Sequence, residues 1–242
     1  MRLSVIIPAL DERERLPACL DALSAQGELI AEIIVVDNGS VDGTADLASA
    51  HPGVTVLTEP RRGISYARNT GFDAASGDVL ARIDADTIVR PGWAAAVFDA
   101  FGGDPGLSGL AGPAGFTALS GGSVVVGRSA YRAFRGIHRL TIGDGPLLYG
   151  HNMALTRRAW LGVRGIVSLG DAAASEDIDV ALALLHTGRR IAFEPRMLVT
   201  VGIERTIEPR KLLRYYRTDL VTKAKYRSLR ETDRREAGAT AS

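Results

Sequence analysis

The sequence predicts an α/β fold: a mostly parallel central sheet flanked by helices, followed by a basic helical extension. Three observations predict it. Short runs rich in Val and Ile alternate with segments of helical periodicity through the first hundred residues. Those runs lack the in-out polar alternation of a half-exposed sheet, so both faces need covering, as in parallel sheets. Acidic and polar residues gather just after the runs, at the carboxyl ends of strands, where such sheets bind ligands.

In chain order, LSVIIPA (3 to 9) is the first strand, and 12 to 26 is a helix with Leu16, Leu20 and Leu23 on one face. IAEIIVVD (30 to 37) is a buried strand, followed by the turn NGSVDG and the helix TADLASA. VTVLTE (54 to 59) is a third strand, and GISYARNTGFDAASG is a loop running into a helix. VLARID (79 to 84) is a fourth strand, and Pro91 suits the first turn of the helix WAAAVFDAF. Residues 102 to 123 are rich in Gly and read as irregular or short-stranded, with a helix after them that places Tyr131 and Phe134 on a common side. PLLYGHNMALTRRAW gives a strand and a short helix, and SEDIDVALALLHTG a helix with Ile178, Ala181, Leu182 and Leu185 inward. RIAFEP and MLVTV are two short strands, and a basic helix runs from Pro209 to Glu236. No linker or repeat divides the chain. We read residues 1–204 as one domain, with a nucleotide-binding half at 1–101 and an acceptor and catalytic half at 102–204, and residues 205–242 as the extension.

Composition excludes several classes. Of the 242 residues, 46% are hydrophobic and 24% charged, which fits a folded globular chain and not a disordered one. A net charge of +1 argues against a dedicated nucleic-acid binder. Cys19 is the one cysteine, so no intrachain disulfide forms and a C-x-x-C metal site is ruled out. The opening apolar run is too short for a secretory leader, and no stretch approaches the roughly 18 apolar residues of a membrane span. The expectation is a cytoplasmic protein.

ARIDADTIV (81 to 89) carries the first chemical signal. On an extended chain Asp84 and Asp86 point to one side, and burying two like charges without a partner is costly. Such a pair suits Mg²⁺ or Mn²⁺ that keeps positions open for substrate phosphates. The alternatives are exposed loop acids or neutralisation by Arg82. Asp37, Ser40 and Asp42 add acceptors at the neighbouring strand end, and Arg61, Arg62 and Arg68 add cations suited to a diphosphate. Asp42 and Thr44 could equally cap a helix, and Arg68 could close a surface ion pair. Glu176 and Asp177 open a later helix behind Ser175. They read either as acids favoured by the helix dipole with a serine cap, or as the seat of a general base.

SVIIPALDE, VVDNGSVDGT, GISYARNTG, the DAD at 84 to 86, YGHNMALTRR and SEDIDVALALLHTGRRIAF resemble, in order and spacing, the family 2 glycosyltransferases over residues 2 to 200. The resemblance implies a GT-A fold and inverting transfer of a single sugar from a nucleotide-diphosphate sugar to a glycan, lipid-linked or small-molecule acceptor, assisted by Mn²⁺ or Mg²⁺. It implies donor contacts at Pro8, Ala9, Asp11, Glu12, Asp37, Ser40, Arg68, Asp84 and Ala85, metal ligation by Asp86, and general-base catalysis by Asp177. Arg68 or a nearby arginine would stabilise the leaving diphosphate. His151, Asn152 and Glu176 would line the sugar or acceptor pocket, and His186 would be a helix-surface residue. Three departures stand out. The family's usual Asn is Asp11 here, no His follows the last strands in VTVGIERT, and no membrane helices follow the domain. The tail carries a net +7 over residues 205 to 235, which suits anionic lipid head groups and peripheral contact with a membrane. It equally suits a solvated helix packed on the domain. Two other readings remain open at this stage. One is a non-catalytic nucleotide-sugar binder or partner subunit. The other is a sugar-1-phosphate nucleotidyltransferase, which the glycine-free loop PALDERER disfavours.

Overall fold

The computed structural model describes residues 1–116, 136, 148–170, 175–202 and 209–240, with the side chains of 209–216 and 234–240 left aside. The expected helix with Tyr131 and Phe134, most of the acceptor insert, and residues 203–206 of VTVGIERT lie outside the described residues.

Five strands and four α-helices open the chain: β1 (Leu3–Ala9), α1 (Leu16–Ser24), β2 (Glu32–Asp37), α2 (Thr44–Ala50), β3 (Val54–Thr58), α3 (Ile64–Ala74), β4 (Val79–Arg82), β5 (Ile88–Val89) and α4 (Trp93–Gly103). Then follow β6 (Leu107–Ala111), β7 (Ala114–Phe116), β8 (Met153–Thr156), α5 (Arg157–Val163), α6 (Glu176–His186), β9 (Arg190–Phe193), β10 (Val199–Val201) and α7 (Pro209–Thr240). Seven of the described strands form one sheet in the order β3-β2-β1-β4-β8-β6-β9, and a small sheet pairs β5, β10 and β7. Strands β1 to β4 are parallel, with Ala9 opposite Asp37, Asp37 opposite Thr58, and Ile6 opposite Arg82. Strand β8 runs antiparallel to both β4 and β6. This reversal matters for the site, because it brings the residues before β8 to the edge where β1, β2 and β4 end.

The period-two geometry of β1 divides the core. Leu3, Val5, Ile7 and Ala9 face Leu16, Cys19, Leu20, Leu23, Trp93 and Val97. Ile6 faces the other way, into a cluster with Ala67, Phe72, Trp160, Ile178 and Tyr226. Both sheet faces are therefore covered, as the unbroken apolar runs require. Helix α4 begins two residues later than Pro91 suggests. Gly92 takes the cap position with φ 82°, so the proline lies outside the first turn. No helix among the described residues is long and apolar enough to cross a membrane.

Helix α3 approaches the sheet closely at Gly71, where an added Cβ would collide with Ile6 and stand 3.0 Å from Val36 Cγ2. Gly71→Val should therefore overpack this face and cost about 1–3 kcal/mol. A lower urea midpoint at unchanged slope checks it; an unchanged midpoint would contradict the close packing.

Candidate active site

Strand β4 stops at Arg82, and Asp84 to Thr87 form a turn closed by the Thr87 N–H donating to Asp84 O (3.0 Å). The parity argument for Asp84 and Asp86 thus gives way to turn geometry. Ala85 between them is buried, while Asp84 and Asp86 are half-buried at the rim. Both carboxylates still act on one neighbour: burial first, then Asp86 and Asp84, push the Cys19 thiol up from its ordinary range.

Arg82 is a partner of Asp84, the neutralisation that the sequence leaves open beside a metal ion. Its Nη2 lies 2.8 Å from Asp84 Oδ1 and 3.1 Å from Glu176 Oε1, and the side chain is 2% exposed. Burial alone would lower Arg82, but the carboxylates of Asp84, Glu176, Asp177 and Asp86 outweigh it and hold the guanidinium charged. The other Glu176 oxygen takes Arg68 Nη1 at 2.7 Å. Arg68 is fully buried, and its Nε donates to Asn69 Oδ1 (2.9 Å). It is therefore a buried clamp on Glu176, and neither the surface ion pair nor the open diphosphate cation of the sequence reading. Glu176 feels burial, which pushes its carboxyl up, against the pull of Arg82 and Arg68.

This chain of charges delivers Asp177. Helix α6 begins at Glu176, and Asp177 Oδ2 accepts from the Gly150 N–H at 2.9 Å. A side chain at Gly150 would run into Arg82 and Glu176, so only glycine lets the loop before β8 pass this close. Ser175 takes the N-cap place but does not cap; its hydroxyl donates to Asp177 Oδ1 (3.0 Å). His151 is half-buried and stacked on Tyr149, with ring centroids 5.9 Å apart, and desolvation pushes its imidazole down.

The ends of β1 and β2 form the adjoining wall. Asp11 adopts φ 54°, a left-handed conformation that Asp and Asn tolerate better than most residues. Its Oδ1 accepts from Val41 N (2.9 Å), while its own N–H donates to Ser40 Oγ (3.0 Å). The acceptor oxygen that the loop needs is common to Asp and Asn, which explains how the exchange keeps the local fold. Asp37 is buried and folds back onto the amides of Gly39 and Ser40. Asp42 is a loop lock, accepting from Thr44 and from Arg13 N. Arg61 is tied to Glu59 at 2.8 Å, and this pairing holds the Glu59 carboxyl down at about 2.

The structure thus gathers Pro8, Ala9, Asp11, Glu12, Asp37, Ser40, Asp84, Ala85, Asp86, His151, Glu176 and Asp177 along one sheet edge. Asn152 is not among them. It is wholly buried, accepting from Trp93 Nε1 (2.9 Å) and donating to Pro113 O (3.1 Å) and Met197 O (2.6 Å), so it ties the two sheets together and touches no sugar pocket. His186 is corrected too: its side chain is 13% exposed and packs between Asp233 and Tyr226 of α7. Sequence reading missed Asp179, which is 1% exposed and holds Lys225 (2.9 Å) and Tyr226 (2.9 Å). Its position two after Asp177 in an acidic first turn hid it among residues the dipole favours.

For a divalent cation the donor set is hard oxygen. Asp84 and Asp86 supply carboxylates at the rim, and among the described residues no cluster of three or more His, Cys, Asp or Glu surrounds them. That fits a cation completed by diphosphate oxygens and water. Replacing Glu176 with Gln should leave Arg68 buried without its carboxylate and lower stability by about 3–5 kcal/mol. Urea denaturation reads this, and a loss under 1 kcal/mol, roughly the worth of an exposed pair, would contradict the buried clamp.

Comparison with known proteins places these features. Residues 4–160 match the model of "Glycosyl transferase family 2". Glycosyltransferase AglE of Haloferax volcanii is 40% identical over 97 residues, covering 37% of this chain and 32% of that protein. The undecaprenyl-phosphate 4-deoxy-4-formamido-L-arabinose transferase of Serratia proteamaculans is 38% identical over 94 residues, covering 35% of this chain and 29% of its own length. The matched stretch thus spans only about a third of these curated relatives. Among solved structures, mannosyltransferase PcManGT from Pyrobaculum calidifontis, in complex with GDP-Man and Mn²⁺, superposes with TM-score 0.70 at 22% identity, over 93% of this chain and 63% of that one. Glucosyl-3-phosphoglycerate synthase from Mycobacterium tuberculosis with UDP gives 0.69 at 21% identity, over 93% and 79%. Both share the GT-A architecture found here. With the family model covering well over half its length, the chain belongs to glycosyl transferase family 2.

Proposed function

We propose that this enzyme moves a single sugar, with inversion, from a UDP- or GDP-sugar to an acceptor hydroxyl or phosphate, with Asp177 as general base. One observation carries the reading: the Arg68–Glu176–Arg82–Asp84 chain fixes Asp177 beside the strand end that bears Asp84 and Asp86. A base that abstracts the acceptor proton must stand near the carbon whose bond to the diphosphate breaks. The acceptor oxygen attacks the anomeric carbon, its proton passes to Asp177, and the diphosphate leaves with the bonding electron pair. Asp84 and Asp86 would hold Mn²⁺ or Mg²⁺, which supplies positive charge to the departing diphosphate. Asp11, Glu12, Asp37 and Ser40 shape the nucleoside wall, with the backbone at Pro8, Ala9 and Ala85 as its floor. Arg68 acts through Glu176 on the position of α6. His151 borders the sugar.

A lipid-linked acceptor at the cytoplasmic face of a membrane is the second reading, and the outer side of α7 favours it. Leu220 is 43% exposed and Val221 51%, with Arg217 and Arg227 exposed beside them. Salt-sensitive sedimentation with anionic vesicles is expected on this reading, and none with neutral vesicles.

A thermal-shift panel of UDP-, GDP- and dTDP-sugars with and without Mn²⁺ tests the main proposal. One nucleotide should stabilise the chain in a metal-dependent way, and Asp86→Ala should abolish the metal dependence. Asp177→Asn should keep donor binding and lose transfer by roughly 100-fold or more. Full transfer by that variant would remove Asp177 from the role. Binding without transfer by the wild type would instead support a non-catalytic binder.

A further inference from the structure

Helix α7 meets the start of α6 at successive turns. The Ser175 N–H donates to Thr222 Oγ1 at 2.9 Å, and the fully buried Thr222 gives its own hydroxyl proton to Thr218 O at 2.7 Å. One turn on, Lys225 and Tyr226 hold Asp179. One turn back, the buried Asp219 faces the Ser175 side chain and the charge of Asp177. Ser175 Oγ donates to Asp177 Oδ1 at 3.0 Å, so Ser175 stands between the C-terminal helix and the proposed base.

The Ser175 hydroxyl has one hydrogen and faces two carboxylates. Both are served together only when Asp219 carries a proton and gives it to Ser175 Oγ, leaving the serine hydrogen for Asp177. Once Asp219 ionises, it competes for that hydrogen, and a lone pair on Asp177 Oδ1 opens toward an acceptor hydroxyl.

We propose that Thr222 and Asp219 are positioning residues for Asp177, acting through Ser175, so that helix α7 belongs to the catalytic apparatus. The proposal rests on the reading of Asp177 as the base. Burial, against the pull of the Ser175 hydrogen bond and with help from Asp177, pushes Asp219 up to about 6, so its proton exchanges close to neutrality. The other charged groups nearby among the described residues are committed elsewhere or lie apart. Glu176 holds Arg68 and Arg82, Asp179 holds Lys225, and Lys223 lies one turn along Asp219's own helix.

Two measurements on the full chain test this. With ¹³Cγ-labelled aspartate, the Asp177 carboxyl signal should show a step near pH 6 that coincides with the titration of Asp219. The step should vanish in Asp219→Asn and in Ser175→Ala. Its absence in the wild type, or its survival in Asp219→Asn, overturns the proposal without reference to any substrate. With the nucleotide sugar that stabilises the chain most, Thr222→Val should lower kcat by roughly 10- to 100-fold at unchanged donor KM. Thr222→Ser, which keeps the acceptor oxygen, should restore it. A loss that serine does not restore marks a packing role and sinks the idea. If Asp177→Asn transfers normally, the base reading fails instead, whatever the carboxyl signals do.

Discussion

The buried chain of charges from Arg68 through Glu176 and Arg82 to Asp84 is the constraint on which the site depends. It joins α3, the start of α6, the end of β4 and the turn after it, segments separated by up to 108 residues. Buried ion pairs are poor sources of net stability, because desolvation offsets most of the attraction. Their value lies in geometry. Two guanidiniums that reach one carboxylate leave α6 a single comfortable position, and Asp177 follows from it. Gly150 is a consequence of the same arrangement, since any side chain there would occupy the space of Arg82.

A second set of contacts holds the frame around that chain. Asn152 binds the indole of Trp93 and two carbonyls, knitting the loop before β8 to α4 and to the approach to β10. On the far side, Tyr226 and Lys225 clamp Asp179, and Thr222 holds Ser175. Helix α7 is therefore more than a charged tail. Its inner face is part of the core that supports the acidic turn of α6, while its outer face carries the arginines with Leu220 and Val221. The two faces answer to different demands, and this is how a strongly basic segment and a packed helix coexist in one stretch of sequence.

Much of this was legible in the residues. The apolar runs placed every strand from β1 to β4 within two residues, because burial on both faces leaves a period-independent signature that few other segments share. The clustering of acids at strand ends pointed to the right sheet edge, and six motifs in order pointed to the family. What was misjudged shares one cause. Arg68, Asn152, Asp179 and His186 are polar residues whose partners lie far away in sequence. Arg68 meets a carboxylate 108 residues on, and Asn152 meets an indole 59 residues back. A polar side chain reads the same in sequence whether it faces water, a ligand or a buried partner.

The α/β class, the strand ends that form the site, and the family are written in the residues, because these rest on local periodicity and on ordered motifs. Which polar residues face that site and which hold it in place depends on how the chain packs in three dimensions. The reversal of β8 brought Gly150 and His151 to the edge, and the same turn drove Asn152 into the core. The ARIDADTIV stretch shows the division most plainly. Its composition announced two acids at a strand end, and the fold decided that Arg82, buried two residues before Asp84, would share that aspartate with whatever binds there. The physical reason is that hydrogen bonding and charge pairing are settled by distance in space, and neither residue spacing nor composition encodes that distance for partners brought together by the fold.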